Sequence, residues 1–336
     1  MKKMLSLLII FVILIGFIGC GEKTVGKTVE KKPLKIAITV WAPFAHAFIA
    51  QDKGIFRKNN VDVELIFKKS SPETLDLFVN GEVDGIFHSF GTIILFRSKG
   101  AEAKVVYVTN YSVSGDAIVG QPNLNSLSEL DGKTVSVEEF NSFSHFFVQN
   151  ALLKAGVEEG KVKFKNVPAD AVVKALDEKQ VDAGHVWDPE VSRATKKGYK
   201  VLAEAGDQPG IVTDVLFFSK KALDERSAEI QGVVKSLIEA RNYVDNNREE
   251  SIKLMAPKME MTVEEVVSGL EGSHLIDLHE NLEIMTETAT PTAGKPSLFY
   301  TATKMVDFYL KHGQLSQAPD VRDFMEAKFI KELINK

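Results

Sequence analysis

The side chains able to do chemistry are few and widely spaced. Cys20 is the sole cysteine among 336 residues, which rules out an internal disulfide, a thiolate metal cluster and a cysteine nucleophile within the fold. His274 and His279 stand five apart, off the shared helical face that a metal pair needs, so no metal or cofactor is expected. No Ser-His-Asp, paired-carboxylate or phosphate-loop spacing stands out, and binding is a better match than bond-making chemistry. Trp41 and Trp187 are the only tryptophans. Their faces would grip an apolar or planar ligand, or each would fill a core. Asn141, Ser142 and Ser144 offer hydroxyl and amide groups where a helix begins, either as an anion site or as plain N-caps. His46, His88 and His145 would bind as neutral imidazoles and make affinity pH-dependent, or lie as satisfied polar groups. Asp188 would meet a ligand amine or cap the next helix.

Those residues are positioned by a strand–helix alternation. Leu34 to Val40, Val61 to Phe67, Val83 to Phe87, Lys104 to Asn110, Thr134 to Val137, Val162 to Val167 and Val181 to Ala183 read as strands, with helical stretches between. Ser71-Pro72-Glu73 reads as Ser71 N-cap, Pro at the first helical position and acid in the first turn. From Asp224 onward the pattern is mostly helical. The fold class expected is α/β with largely parallel sheets. A short phrase recurs, Gly81-Glu82-Val83-Asp84-Gly85 and Lys179-Gln180-Val181-Asp182-Ala183, and hints at two lobes of like construction. Ligands of open parallel sheets sit beyond the carboxyl ends of strands. That rule selects Trp41, with His46 in the helix that follows; Ser89 and Thr92; Ser114; Asn141, Ser142, Ser144 and His145; and Trp187 with Asp188. None of these loops carries Arg or Lys, so an anionic ligand would rely on backbone amides and hydroxyls. Phe140 and Phe143 bracket the polar loop and favour a ligand with an apolar or aromatic part over bare nitrate or sulfonate.

The amino terminus reads as an export signal: Lys2 and Lys3, an apolar run from Leu7 to Ile18, then Gly19 and Cys20. The run is too short for a comfortable span of ~20 residues. Phe17-Ile18-Gly19-Cys20 resembles the lipobox of bacterial lipoproteins, which implies cleavage before Cys20 and lipid attachment to its sulfur. Residues 1–19 are then the signal and 20–33 a flexible tether. With the signal removed, 39 basic residues face 46 acidic ones, a balance that excludes nucleic acid as a partner. The remaining length, with 44% apolar residues over the chain, suits two domains.

Several phrases together resemble a known family. They are Ile49-Ala50-Gln51-Asp52-Lys53-Gly54-Ile55-Phe56, Leu77 to Gly85, Ser128-Glu129-Leu130-Asp131-Gly132-Lys133-Thr134-Val135, Val186-Trp187-Asp188-Pro189-Glu190 and Val306 to Gly313. In that order they are similar to the substrate-binding proteins of ABC importers, in the branch serving nitrate, taurine, alkanesulfonates and thiamine-pyrimidine precursors. The resemblance implies a two-lobed periplasmic-binding-protein-like fold of type II, with lobe one at 34–115 plus 215–331 and lobe two at 116–214. It implies a monomeric, membrane-tethered lipoprotein on the periplasmic or extracellular side. Such a protein captures a small organic solute by hinge closure and delivers it to a permease and its ATPase. A pyrimidine-precursor synthase of the same fold is the enzymatic alternative, disfavoured by the export signal and the absence of a Cys-rich motif. A sensor module docking to a membrane receptor is the other.

Overall fold

The structure, a computed structural model, describes residues 32–98, 100–286 and 297–335. The signal segment, Cys20 and all of the tether except Lys32 and Pro33 lie outside the described residues. No helix among the described residues is long and apolar enough to cross a membrane.

Two mixed sheets carry the fold. The first contains β1 (Leu34–Ile38), β2 (Val63–Phe67), β3 (Gly85–Ser89), β4 (Ala103–Ser112), β10 (Thr213–Ser219) and β11 (Ser273–Leu275), in the order β11-β4-β10-β3-β1-β2. The second contains β5 (Asp116–Gly120), β6 (Thr134–Val137), β7 (Lys163–Asn166), β8 (Ala183–Trp187) and β9 (Lys200–Glu204), in the order β7-β6-β8-β5-β9. Both follow one plan, in which a strand from the other half of the chain fills the gap beside the third strand. β10 runs antiparallel between β3 and β4, and β5 runs antiparallel between β8 and β9. The expectation of largely parallel sheets is corrected by these inserted strands. They are apolar except at their ends and lack the alternation that marks a half-buried strand: all five residues of Asp116–Gly120 are buried, as are all of Thr213–Ser219 but the last.

The recurring phrase has a structural meaning. Its aspartate precedes the third strand in both sheets and ties it to the first. The Lys35 N–H donates to Asp84 Oδ2 at 2.9 Å, and the Asp84 N–H donates to the Lys35 carbonyl at 2.8 Å. The Thr134 N–H donates to Asp182 Oδ2 at 2.9 Å, and the Asp182 N–H to the Thr134 carbonyl at 2.8 Å. Each carboxylate thereby satisfies an N–H at the strand entry that no ladder partner reaches.

Local chemistry shifts one boundary. The N-cap of helix Ser71–Val79 is Ser70, not Ser71, and both its N–H and hydroxyl donate to Glu73. Ser71 is thereby the first helical residue and faces inward.

Asp182→Ala leaves the Thr134 N–H without its acceptor and should lower the unfolding free energy by about 1–3 kcal/mol, read by urea denaturation. An unchanged midpoint and slope would show that the repeated aspartate is incidental.

Candidate functional site

Three adjoining cavities of about 380, 780 and 1170 Å³, open in part to solvent, lie between the two sheets, and Ser71 lines all three. The first is walled from one side by Thr39, Val40, Trp41 and Phe44 after β1, and by His88 and Ser89 at the end of β3. Phe143 and Trp187 close it from the second sheet, and Asp116, Val212 and Asp214 complete its lining. Strand register puts the acids there: Asp116 is paired across from Trp187, and Asp214 sits between Ser89 of β3 and Asn110 of β4. Phe143 and Trp187 lie 6.0 Å apart at 40°. Gly115 is required beside them, since a Cβ there would come within 2.7 Å of the Trp41 ring.

The polar groups of the site are held by networks. The Ser89 N–H donates to His88 Nδ1 at 2.9 Å, so the ring proton sits on Nε2, which lies 2.7 Å from Ser71 Oγ. The hydroxyl proton of Ser71 is then directed to other acceptors, and the Thr92 hydroxyl lies 2.8 Å from His88 Nδ1. Asp116 is backed by His185, whose Nε2 lies 3.2 Å from its Oδ1. His185 Nδ1 meets Ser144 Oγ at 2.8 Å, and that hydroxyl accepts the Glu138 N–H at 3.0 Å. Asp214 Oδ2 accepts from the Asn110 amide at 2.8 Å. The Trp41 indole N–H is near enough to Asp214 to draw its pKa down, yet it is in full hydrogen-bonding geometry with neither that carboxyl nor any other acceptor.

Of the residues selected from sequence, Trp41, His88, Ser89, Thr92, Asn141, Ser142 and Trp187 line these cavities. Ser142 also caps helix Phe143–Lys154, accepting the His145 N–H, and Asn141 makes the turn before it with φ of 61°. The others are placed elsewhere. His46 is core: its Nδ1 meets the Pro43 carbonyl at 2.7 Å and its ring packs on Phe87 and Tyr107. Ser144 stands one step behind the cavity through His185. His145 packs against Phe140, Phe164, Phe308 and His312. Ser114 lies in the crossing segment and bonds through its N–H to the Gly272 carbonyl at 3.0 Å. Asp188 is engaged by protein: Oδ1 accepts from the Ser192 N–H and hydroxyl, and Oδ2 from the Ser268 hydroxyl at 2.9 Å. With Arg193, bonded to Glu265 at 2.8 Å and to Glu190, it clasps helix Glu190–Lys196 to helix Val263–Glu271 across the sheets.

Asp116 and Asp214 were not among the expected site residues. Each is an acid opening an apolar run, DAIVG and TDVLFF, a signal that stands out only once those runs are known to be buried strands. Burial, and then the charge of Asp116, push the Asp214 carboxyl up to about 8. Burial pushes Glu138 up to about 8 as well, with Glu139 adding to it.

The profile of one protein family, described as the NMT1-like family, matches residues 27–257. The chain belongs to the NMT1-like family. A Brucella abortus (strain 2308) relative named as a binding protein is 23% identical over 286 residues, covering 84% of this chain and 86% of its own. A Bacillus subtilis (strain 168) protein named as an aliphatic sulfonates-binding protein is 23% identical over 350 residues, covering 100% of this chain and 98% of its own. The crystal structure of a ligand-binding component of an ABC-type import system from Staphylococcus aureus superposes with a TM-score of 0.71 at 17% identity. That match covers 90% of this chain and 99% of the other. The NMT1-like chain thus has the two-sheet α/β architecture of periplasmic binding proteins.

Two groups of buried side chains oppose each other in pH dependence. Burial lowers His46, His88 and His145 to about 4 from an ordinary 6.5, so their neutral forms stabilise the fold above 6.5 and that contribution is lost as pH falls toward 4. Asp214 and Glu138 keep protons that the unfolded chain releases, so unfolding becomes easier as pH rises toward about 8. Between pH 6.5 and 8 only the second effect operates. The melting temperature of ligand-free protein should fall across that window, and Asp214→Asn should flatten the fall. A melting temperature that rises through the window in the wild type would contradict this electrostatic reading.

Proposed function

We propose that this protein is an extracytoplasmic solute-binding component of an ABC importer. It captures a small organic solute in the cleft and hands it to a membrane permease with its ATPase. The observation that carries this reading is the cavity between the sheets, with Trp41 on a strand-end loop of one sheet and Trp187 at a strand end of the other. Flat aromatic faces on opposing walls grip an apolar or planar body, and closure adds affinity through contacts that only the closed state makes. The relatives named as binding proteins support capture over turnover. The lobes in this reading are 34–115 with 215–331, and 116–214, and they pivot at the crossing segments, where the Gly206 N–H bonds to the Val113 carbonyl. The clasp through Asp188, Arg193, Ser268 and Glu265 supports a closed arrangement.

Cys20, directly after the export signal, would carry the lipid that keeps the protein beside its permease. Cys20→Ala should move the protein from the membrane fraction to the soluble exported fraction. Retention of that variant on membranes would count against the anchor.

Trp187→Ala should weaken solute binding by ~1–3 kcal/mol, as for loss of an aromatic anchor, measured by calorimetry with a solute identified in a thermal-shift screen. The same solute should alter tryptophan fluorescence in the wild type. Equal affinity in the variant, or no solute response anywhere in the screen, would sink this reading.

A further inference from the structure

The charge inside the cleft runs against an anionic solute. The first cavity contains the carboxyls of Asp116 and Asp214 and no Lys or Arg. Cations enter only at the outer cavity, and both are already paired: Lys69 with Glu260 at 2.6 Å, and Arg193 with Glu190 and Glu265. Asp116 is 3% exposed and Asp214 6% exposed, so neither has bulk water to satisfy it. A sulfonate placed between Trp41 and Trp187 would bring a further negative charge to buried acids with no cation to meet it, the more so as Asp214 ionises toward pH 8. Taking such charges out of water costs free energy unless an opposite charge or converging hydrogen-bond donors meet them, and no Lys or Arg lines this cavity. Trp41 is 4% exposed, and its N–H lies beside the Asp214 carboxyl in the same cavity without a full hydrogen bond to it.

We infer that Asp116 and Asp214 hold a cationic nitrogen group of the solute, of the amidinium or guanidinium kind, against the floor of the cleft. Such a group presents several N–H donors in one plane, which suits two carboxyls that line one cavity from strands of different sheets. Its flat cation also lies well over the indole of Trp187. Once Asp214 ionises against the cation it becomes a stronger acceptor for the Trp41 N–H and the Asn110 amide beside it. This inference rests on the solute-binding reading and names the class of solute.

The groups facing Asp214 are few. On its own sheet they are the Asn110 amide of β4 and Ser89 with His88 of β3; from the other sheet comes Asp116, backed by His185. His88 stays neutral above pH 6.5, since burial lowers it to about 4. Among these facing groups Asp214 is the one that changes charge between pH 6.5 and 8; Glu138, which titrates in the same range, lines the two neighbouring cavities and not this one.

The test compares benzamidine with benzenesulfonate, which share a ring and differ in charge, by calorimetry on the purified mature protein. Benzamidine should bind more tightly, and its affinity should rise roughly tenfold from pH 6.5 to 8 as Asp214 ionises. Asp214→Asn should abolish that rise, and Asp116→Asn should weaken benzamidine at least about tenfold with the melting temperature retained. The wild-type pH profile stands even where a variant folds poorly. Tighter binding of benzenesulfonate, no binding of benzamidine, or an affinity that is flat or falling with pH would overturn the inference. Benzenesulfonate binding with a tryptophan fluorescence change would do so while leaving the solute-binding reading intact; silence from every solute in the thermal-shift screen would remove both.

Discussion

The structure depends on an exchange of strands. β10 fills the gap between β3 and β4 although it arrives from the half of the chain that builds the other sheet, and β5 fills the corresponding gap between β8 and β9. Neither sheet is complete without a strand from across the molecule. The segments that link them are cross-bonded, the Gly206 N–H to the Val113 carbonyl and the Ser112 N–H to the Val212 carbonyl, and the N–H groups of Val113, Ser114 and Gly115 all reach the Gly272 carbonyl beside β11. Because each inserted strand is antiparallel to its neighbours, its ladder hydrogen bonds hold the crossing in register while the linking segments absorb any change in dihedral angle.

That exchange also decides what the cleft is made of. Strands that cross between sheets must start or end at the gap between them, so Asp116, the first residue of β5, and Asp214, the second of β10, come to lie at its floor. The aromatic walls follow from ordinary strand ends, Trp41 after β1 and Trp187 at the end of β8. A floor of acids beneath walls of indole is a consequence of topology as much as of residue choice. The surrounding contacts flank the acids: Ser144 bonds His185, whose ring stands 3.2 Å from Asp116, and the Asn110 amide donates to Asp214.

Much of this was legible before any coordinates. Strands with clear composition, such as Leu34–Ile38 and Thr134–Val137, appear where the pattern puts them, and the repeated Val-Asp phrase marks equivalent entries into both sheets. The tryptophans and the loop of Asn141 and Ser142 reach the cavities. What stayed hidden depends on long-range pairing. DAIVG and TDVLFFS are buried on both faces, so they carry no alternation, and their acids have no nearby motif to mark them. His46, Ser144 and His145 were drawn toward the ligand by their position near strand ends. Their side chains turn instead into the core, where Pro43, His185 and Phe308 receive them. Nearness in sequence to a strand end constrains where the backbone is, not where the side chain points.

The most direct test of the central claim is a crystal structure of the mature protein with its own solute retained from the cell of origin. The account predicts density between Trp41 and Trp187 for a molecule whose nitrogen atoms lie within hydrogen-bonding distance of both Asp116 and Asp214. A solute that turns an anionic group toward that floor, or that binds away from the cleft between the sheets, would contradict it.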